Sequence, residues 1–289
     1  MPTHTDLLIH PNSLKPGEAG EIISLTPERA GWRYISFAVR SLRAGDKLSA
    51  ETGDRETALI ILGGECEVES TAGSWQGLGK RQNVFDGLPY ALYLPRRTAY
   101  AVRAITTLEV ALCSAKAERD FPPRVIRPED VTIEIRGSKN VTRRIFHVVR
   151  PDFPAQRLLI VEVFTPSGNW SSYPPHKHDQ ANSPHEVKLE EIYYYKMSHP
   201  DGFAIQRLYT KDSRIDETLT LRDNDLVLIR EGYHPVVAGP GSHCYYLNVL
   251  AGDVRSMQAA DDPTYAWVRE TWAPRETDSP LHGLIGGKG

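Results

Sequence analysis

Glycine and proline interrupt this chain about every 8 to 12 residues, and the runs between them are short and rich in Val, Ile, Leu, Tyr and Phe. Such spacing leaves no room for long amphipathic helices and predicts a mostly β protein. The expected strands of the first half include "RYISFAVRSL", "TALIILGGECEVES", "YALYLPR", "YAVRAIT" and "EVALCSA". Those of the second include "RLLIVEVFTP", "EEIYYYKM", "FAIQRLYT", "DLVLIREG" and "CYYLNVLAG". Each series has a long opening strand, a strand led by glutamate, a hairpin, a strand entering a Pro or Gly turn, and a closing strand. This repetition predicts a duplicated β-barrel, all-β with few short helices, joined near Ala117 to Asp130, where charge and proline cluster. The expected units are residues 1–120 and 121–289. A short helical segment is expected around Tyr265 to Trp272, and the terminal "LIGGKG" is expected to fray.

Charge and composition narrow the function. The net charge is −3 and the Lys and Arg residues are scattered, so no basic stripe is offered to phosphate backbones and nucleic acid is excluded as an expected partner. No apolar stretch approaches the roughly 20 residues that span a bilayer, and "MPTHTDLLIH" lacks a basic segment ahead of an apolar one. A cytoplasmic protein without a membrane partner is expected. Cys66, Cys113 and Cys244 are far apart, odd in number and embedded in apolar runs, which reads as buried reduced thiols. There is no glycine-rich phosphate loop and no dinucleotide fingerprint, so no nucleotide cofactor is expected.

The chemistry concentrates in the second half. In "YPPHKHDQ", His176 and His178 stand one residue apart, and alternate residues of an extended strand project to the same side, so both imidazoles aim into one space. Downstream, "EEIYYYKM" places Glu191, Tyr193 and Tyr195 on one face and Glu190, Ile192 and Tyr194 on the other. One glutamate must therefore point inward, where a carboxylate is costly unless paired or bound to a cation. His234 follows a glycine turn in "REGYHPVV" and enters a strand. Laying the halves over one another puts Glu51 and Gly53 at the His-x-His positions, Glu56 at Glu191 and Tyr100 at His234. By that comparison the first unit lacks metal ligands.

The order His-x-His, Glu, His resembles the metal site of the cupin family. Longer stretches narrow the likeness: "SYPPHKHD", "LEEIYYY", "EGYHPVVAGPG", "YYLNVLAGD", "FAVRSLRAGDKLSAETGDRETALIILGG", "KRQNVFDGLPYALYLPR" and "RGSKNVTRRIFHV" are similar to the 5-deoxy-glucuronate isomerase family of inositol catabolism. That family is bicupin and is related to the 5-keto-4-deoxyuronate isomerases. The similarity runs through nearly the whole chain, although Asp225 stands where a generic cupin has glycine and Gly232 lies close to His234. The resemblance implies two tandem cupin (jelly-roll) domains and a metal site of His176, His178, Glu191 and His234, with Glu191 chosen because the liganding carboxylate directly precedes "IYYY". It implies one divalent ion, zinc as first expectation with Mn, Fe, Co or Ni as alternatives, since donor type does not choose among them.

The implied reaction is isomerisation of the small deoxyuronate 5-deoxy-D-glucuronate to 2-deoxy-5-keto-D-gluconate, in which a Lewis acid would stabilise the enediolate charge. A base and an acid must also move protons. Tyr246 and Arg143 are the leading candidates, Tyr246 with Asn248 on one face of the final strand and Arg143 as a cation for the substrate carboxylate. Tyr193, Tyr195, Arg144, Lys177, Arg230 and His147 are further candidates, whereas His4, His10, His185, His199 and His282 are expected in solvent. Two competing readings share the ligand set: the uronate ketol-isomerase of pectin breakdown and a cupin dioxygenase. A homo-oligomer is an expected state.

Overall fold

The computed structural model describes residues 7–14 and 18–272. His4, His282 and the "LIGGKG" tail lie outside the described residues. Two β-barrels follow one another along the chain, each made of a large sheet and a smaller one. In the first, a six-stranded sheet of order Arg124–Ile126, Ala91–Leu94, Arg55–Gly63, Leu108–Lys116, Ile35–Leu42, Gly20–Leu25 faces a four-stranded sheet carrying Cys66–Ser70 and Ala99–Ala104. In the second, a seven-stranded sheet has Glu190–Met197 and Cys244–Ala251 near its centre, and its four-stranded partner contains Ala204–Tyr209 and Val236–Ala238. All the pairings are antiparallel. The expected helix near Tyr265 is a 3₁₀ segment, Ala266–Thr271. No helix among the described residues is long and apolar enough to cross a membrane.

The large sheets are buried on both faces, which is why their strands read as unbroken apolar runs rather than alternating ones. In Arg55–Gly63, Leu59 and Ile61 fill the first barrel together with Leu92, Leu94, Tyr100, Val102 and Val110. Ala58, Ile60 and Leu62 turn the other way, into a core shared with Ile192, Tyr194, Tyr245, Leu247 and Val249 of the second half. The two barrels thus lie back to back over one apolar layer. Cys66, Cys113 and Cys244 are buried and free, as expected of structural thiols.

The halves also exchange polar contacts. Glu56 accepts hydrogen bonds from the backbone N–H groups of Gln156, Arg157 and Leu158 at 2.7, 2.6 and 2.7 Å. Glu190 does the same for Arg33, Tyr34 and Ile35 at 2.6, 2.9 and 2.9 Å. Each glutamate faces an alanine of its own barrel's closing strand, Glu56 opposite Ala115 and Glu190 opposite Ala251. Glu56 therefore corresponds to Glu190, which corrects the sequence overlay by one residue: Thr57, not Glu56, stands where the second half has Glu191. Between the barrels, the buried Arg81 guanidinium donates to Glu162 at 2.9 and 2.6 Å. The boundary near residue 120 is crossed in both directions, since Leu8–Ile9 joins the second barrel's sheet and Arg124–Ile126 the first's.

Candidate metal centre

Three of the expected ligands meet inside the second barrel. One donor atom each from His178, Glu191 and His234 lie within 4.8 Å of one another, and all three side chains are buried. Glu191 comes from the central Glu190–Met197 strand, whose alternation turns it inward with Tyr193 and Tyr195 while Glu190 faces the first barrel. His234 enters from the turn before Val236–Ala238, and His178 from the segment after the short His176–Lys177 strand. The Oε2 atom of Glu191 is 2.7 Å from His178 Nε2 and 3.4 Å from His234 Nε2. None of these three buried atoms has a hydrogen-bond partner among the described residues. Buried polar atoms are nearly always satisfied, so three orphans converging on one spot form a candidate cation site. The donor set, two imidazole nitrogens and a carboxylate oxygen, suits a divalent transition metal.

His176 takes a more peripheral position. Its ring centroid is 4.8 Å from that of His234 and 6.3 Å from that of His178, and its side chain is only half-buried, so it stands at the rim of the trio. Electrostatics follow from this crowding. Burial, then His234, His178 and Arg143, hold the His176 imidazole well below its usual value. Burial also lowers His234 in spite of the carboxylate beside it. For His178 burial works in the same direction, but Glu191 outweighs it and the imidazole is raised. Glu191 is correspondingly held below the usual carboxylate range, the two imidazoles overcoming the cost of burial. His176 and His234 are thereby favoured as neutral imidazoles, whereas on His178 a cation would have to replace the proton that Glu191 favours.

Two backbone features fix the ligands. His234 Nδ1 is 3.0 Å from the Gly232 carbonyl, which sets the tautomer with Nε2 free to point at Glu191. Gly232 itself has φ of +86°, and a Cβ there would lie 2.4 Å from the Tyr209 carbonyl, so no other residue fits. The Gly232 N–H donates to Asp179 Oδ2 at 2.8 Å, while Asp179 Oδ1 accepts from Lys177 Nζ at 2.6 Å. Lys177 also donates to both Glu186 oxygens, at 2.9 and 3.0 Å, and Glu186 accepts the N–H groups of Asp179 and Gln180. One carboxylate thus ties the segment bearing His178 to the turn bearing His234. Lys177, a candidate for binding substrate, is occupied in this clamp. Asp179 and Glu186 carried no sequence signal, because they lie in what reads as a hydrophilic insertion.

Beside the ligands the barrel interior is polar. Tyr193 and Tyr246 stack at 4.3 Å with 13° between their planes, and Ser172 Oγ lies 3.0 and 3.2 Å from their hydroxyls. Asn248 is buried opposite Tyr193, helps hold the Glu191 carboxyl below its usual range, and has no hydrogen-bond partner for Oδ1 among the described residues. Arg143 is 3 % exposed, and its hydrogen-bond partners among the described residues are the carbonyls of Val141 and Tyr173, at 3.1 and 3.0 Å. Burial lowers its guanidinium to about 10. The other buried arginines, Arg81 and Arg157, are paired with carboxylates. Tyr195 is tied to Gln206 and His147 to Glu134, at 2.9 and 3.0 Å. Arg230 and Lys177 border a surface cleft of about 1130 Å³ beside Trp32, Arg33 and Tyr34. None of His178, Glu191 and His234 walls that cleft.

Comparison with known proteins agrees with this picture. The KduI/IolB family profile matches residues 7–268. The 5-deoxy-glucuronate isomerase of Geobacillus thermodenitrificans (strain NG80-2) is 46% identical over 261 residues, covering 90% of this chain and 95% of that protein. The protein of the same name from Bacillus subtilis (strain 168) is 36% identical over 267 residues, covering 91% and 98%. An IolB-like protein of Salmonella typhimurium LT2 superposes with a TM-score of 0.88 at 37% identity, covering 91% of this chain and 99% of that one. Oxalate decarboxylase of Lactobacillus farciminis, with a TM-score of 0.61 at 11% identity over 88% of each chain, shares the bicupin fold.

Proposed function

The chain belongs to the KduI/IolB family, and on that premise we propose that it is an aldose-ketose isomerase converting 5-deoxy-D-glucuronate to 2-deoxy-5-keto-D-gluconate in myo-inositol catabolism. The observation that carries the reading at the level of the site is a buried arginine with no carboxylate partner among the described residues, in the same barrel as the orphaned His178, Glu191 and His234. A deoxyuronate has matching ends, a carboxylate and an aldehyde. Arg143 would take the carboxylate, as a guanidinium can by two parallel hydrogen bonds. His178, Glu191, His234 and, from the rim, His176 would hold a divalent ion, zinc as first expectation. Such an ion supplies Lewis-acid stabilisation of the negative charge that develops on the substrate oxygens.

The residues of the chain do the rest. Tyr246 is buried between Ser172 and Tyr193 and is raised to about 12, by burial above all, so it enters as a neutral phenol that can donate to a substrate oxygen. Asn248 helps hold Glu191 in its ionised form. The enclosing barrel excludes water. The division into a 1–120 unit without metal ligands and a 121–289 unit that holds them belongs to this proposal, supported by the apolar filling of the first barrel. So do a cytoplasmic location and a homo-oligomeric state.

The test is incubation of the purified protein with 5-deoxy-D-glucuronate under nitrogen, with the product followed by NMR and 5-keto-4-deoxyuronate run in parallel. Appearance of the 5-keto product without oxygen supports the reading. Turnover of the second uronate alone, or strict oxygen dependence, overturns it in favour of the pectin-pathway isomerase or a dioxygenase.

A further inference from the structure

We propose that Ser172 is the middle member of a proton relay, Tyr193–Ser172–Tyr246, that carries a proton between two oxygens of the substrate; the inference rests on the isomerase reading above. Ser172 Oγ is 3.0 Å from the Tyr193 hydroxyl and 3.2 Å from that of Tyr246, and in both contacts either oxygen can donate. Three hydroxyls joined by two hydrogen bonds have one O–H left over, and it can sit at either end of the chain. Such a chain accepts a proton at one end and releases one at the other by reversing its direction.

Its position suits that use. Tyr193 is two residues beyond Glu191 on the same inward face, and its ring lies 5.8 Å from that of His234. Tyr246 is two residues before Asn248, and the positive charge of Arg143 acts on both phenols. The relay therefore lies along the wall between the metal ligands and the carboxylate anchor. Burial, with Tyr246 raised to about 12, keeps that end of the chain in the O–H form.

Ser172 is also held in a conformation that a merely space-filling residue would avoid. It is 5 % exposed with φ of +50°, in the left-handed region that residues with a Cβ seldom adopt. A non-glycine residue there is disfavoured and persists where the surroundings require it, commonly at functional sites.

The chemistry balances. Converting a 2-hydroxyaldehyde to a hydroxyketone moves one hydrogen from carbon to carbon and one from oxygen to oxygen. The relay performs the second transfer only: one terminal phenol gives its proton to the former carbonyl oxygen, the other takes the proton of the former hydroxyl, and each internal hydrogen bond shifts by one place. No electron leaves the substrate, and rotation of the three hydroxyls restores the starting direction. The carbon-bound proton is handled by a separate base.

The test compares wild type, Ser172→Ala and Ser172→Gly. Glycine removes the hydroxyl while accepting the left-handed backbone, so this variant remains informative if alanine folds poorly. The expected result is a kcat lowered about 100-fold, in the range for loss of general acid–base assistance, with KM and bound metal within about twofold of wild type on that same reading. In H2O–D2O mixtures the curved dependence of kcat on deuterium fraction, from several protons moving together, should become linear. A Ser172→Gly protein that keeps metal and retains kcat within about threefold would sink the relay. Loss of metal from Ser172→Gly would also overturn it, making Ser172 a structural support of the ligands. If wild type itself does not isomerise 5-deoxy-D-glucuronate, the underlying reading fails instead.

Discussion

Gly232 serves His234 three times over: its carbonyl receives the Nδ1 hydrogen, its N–H is pinned by Asp179, and its missing side chain leaves room for the Tyr209 carbonyl. Gly232→Ala should therefore displace His234 and cost both metal and activity, measurable by metal analysis of purified protein. Asp179→Asn acts more gently. It weakens the link to Lys177 without removing the side chain, and metal affinity should fall about 10- to 100-fold, as for other groups that orient a metal ligand, checked by chelator competition. His234→Ala should abolish metal binding and turnover together while the circular dichroism of the folded protein survives. A titration belongs to this scale as well. Glu134, hydrogen-bonded to Arg136, is lowered to about 2. Its folded value lies below its unfolded one, so its contribution to stability is present above the ordinary carboxylate range and is lost as pH falls from about 4.5 towards 2. In Glu134→Gln that part of the acid-stability curve should flatten.

Among the elements, the Glu190–Met197 strand states most of its own role. Its alternation in sequence separates Glu191, Tyr193 and Tyr195 from Glu190, Ile192 and Tyr194, and the structure sends the first group into the barrel and the second to the shared core or the first barrel. In the equivalent strand of the first half, sequence alone aligns Glu56 with Glu191, one residue off its structural counterpart, because Glu56 resembles either glutamate. A shift of one residue exchanges the faces of a strand, and only the pairing of Glu56 with Ala115 shows which face it occupies. Glu56→Gln or Glu190→Gln replaces a carboxylate that receives three backbone N–H groups with an amide that brings its own donor. Each should destabilise by about 2 to 4 kcal/mol, seen in chemical denaturation, and leave the metal content of the remaining folded protein unchanged.

At the scale of the molecule, neither barrel closes its outer face alone. The apolar layer between them draws on Phe37, Ile60 and Tyr93 from one half and Phe146, Tyr194 and Leu247 from the other, and each half lends a strand to the other's sheet. Expression of residues 121–289 alone should give an aggregating chain rather than a small active enzyme. Arg81→Met leaves Glu162 buried with Tyr245 as its remaining partner, and about 3 to 5 kcal/mol should be lost, read as a lowered unfolding midpoint. Chelation of the metal, by contrast, should stop turnover without melting the sheets, since their core is apolar.

What the sequence determined was periodic or local. The spacing of Gly and Pro set the strand lengths, the repetition of the two halves set the duplication, and alternation put Glu191 with the inward tyrosines. The tertiary structure alone decided which distant atoms meet: that Asp179 reaches Gly232, that Ser172 joins Tyr193 to Tyr246, and that Arg143 is buried with no carboxylate partner among the described residues. The physical reason is range. Backbone periodicity is fixed by neighbours in the chain, whereas a contact across tens of residues depends on how sheets pack and in which register, and no local pattern records that.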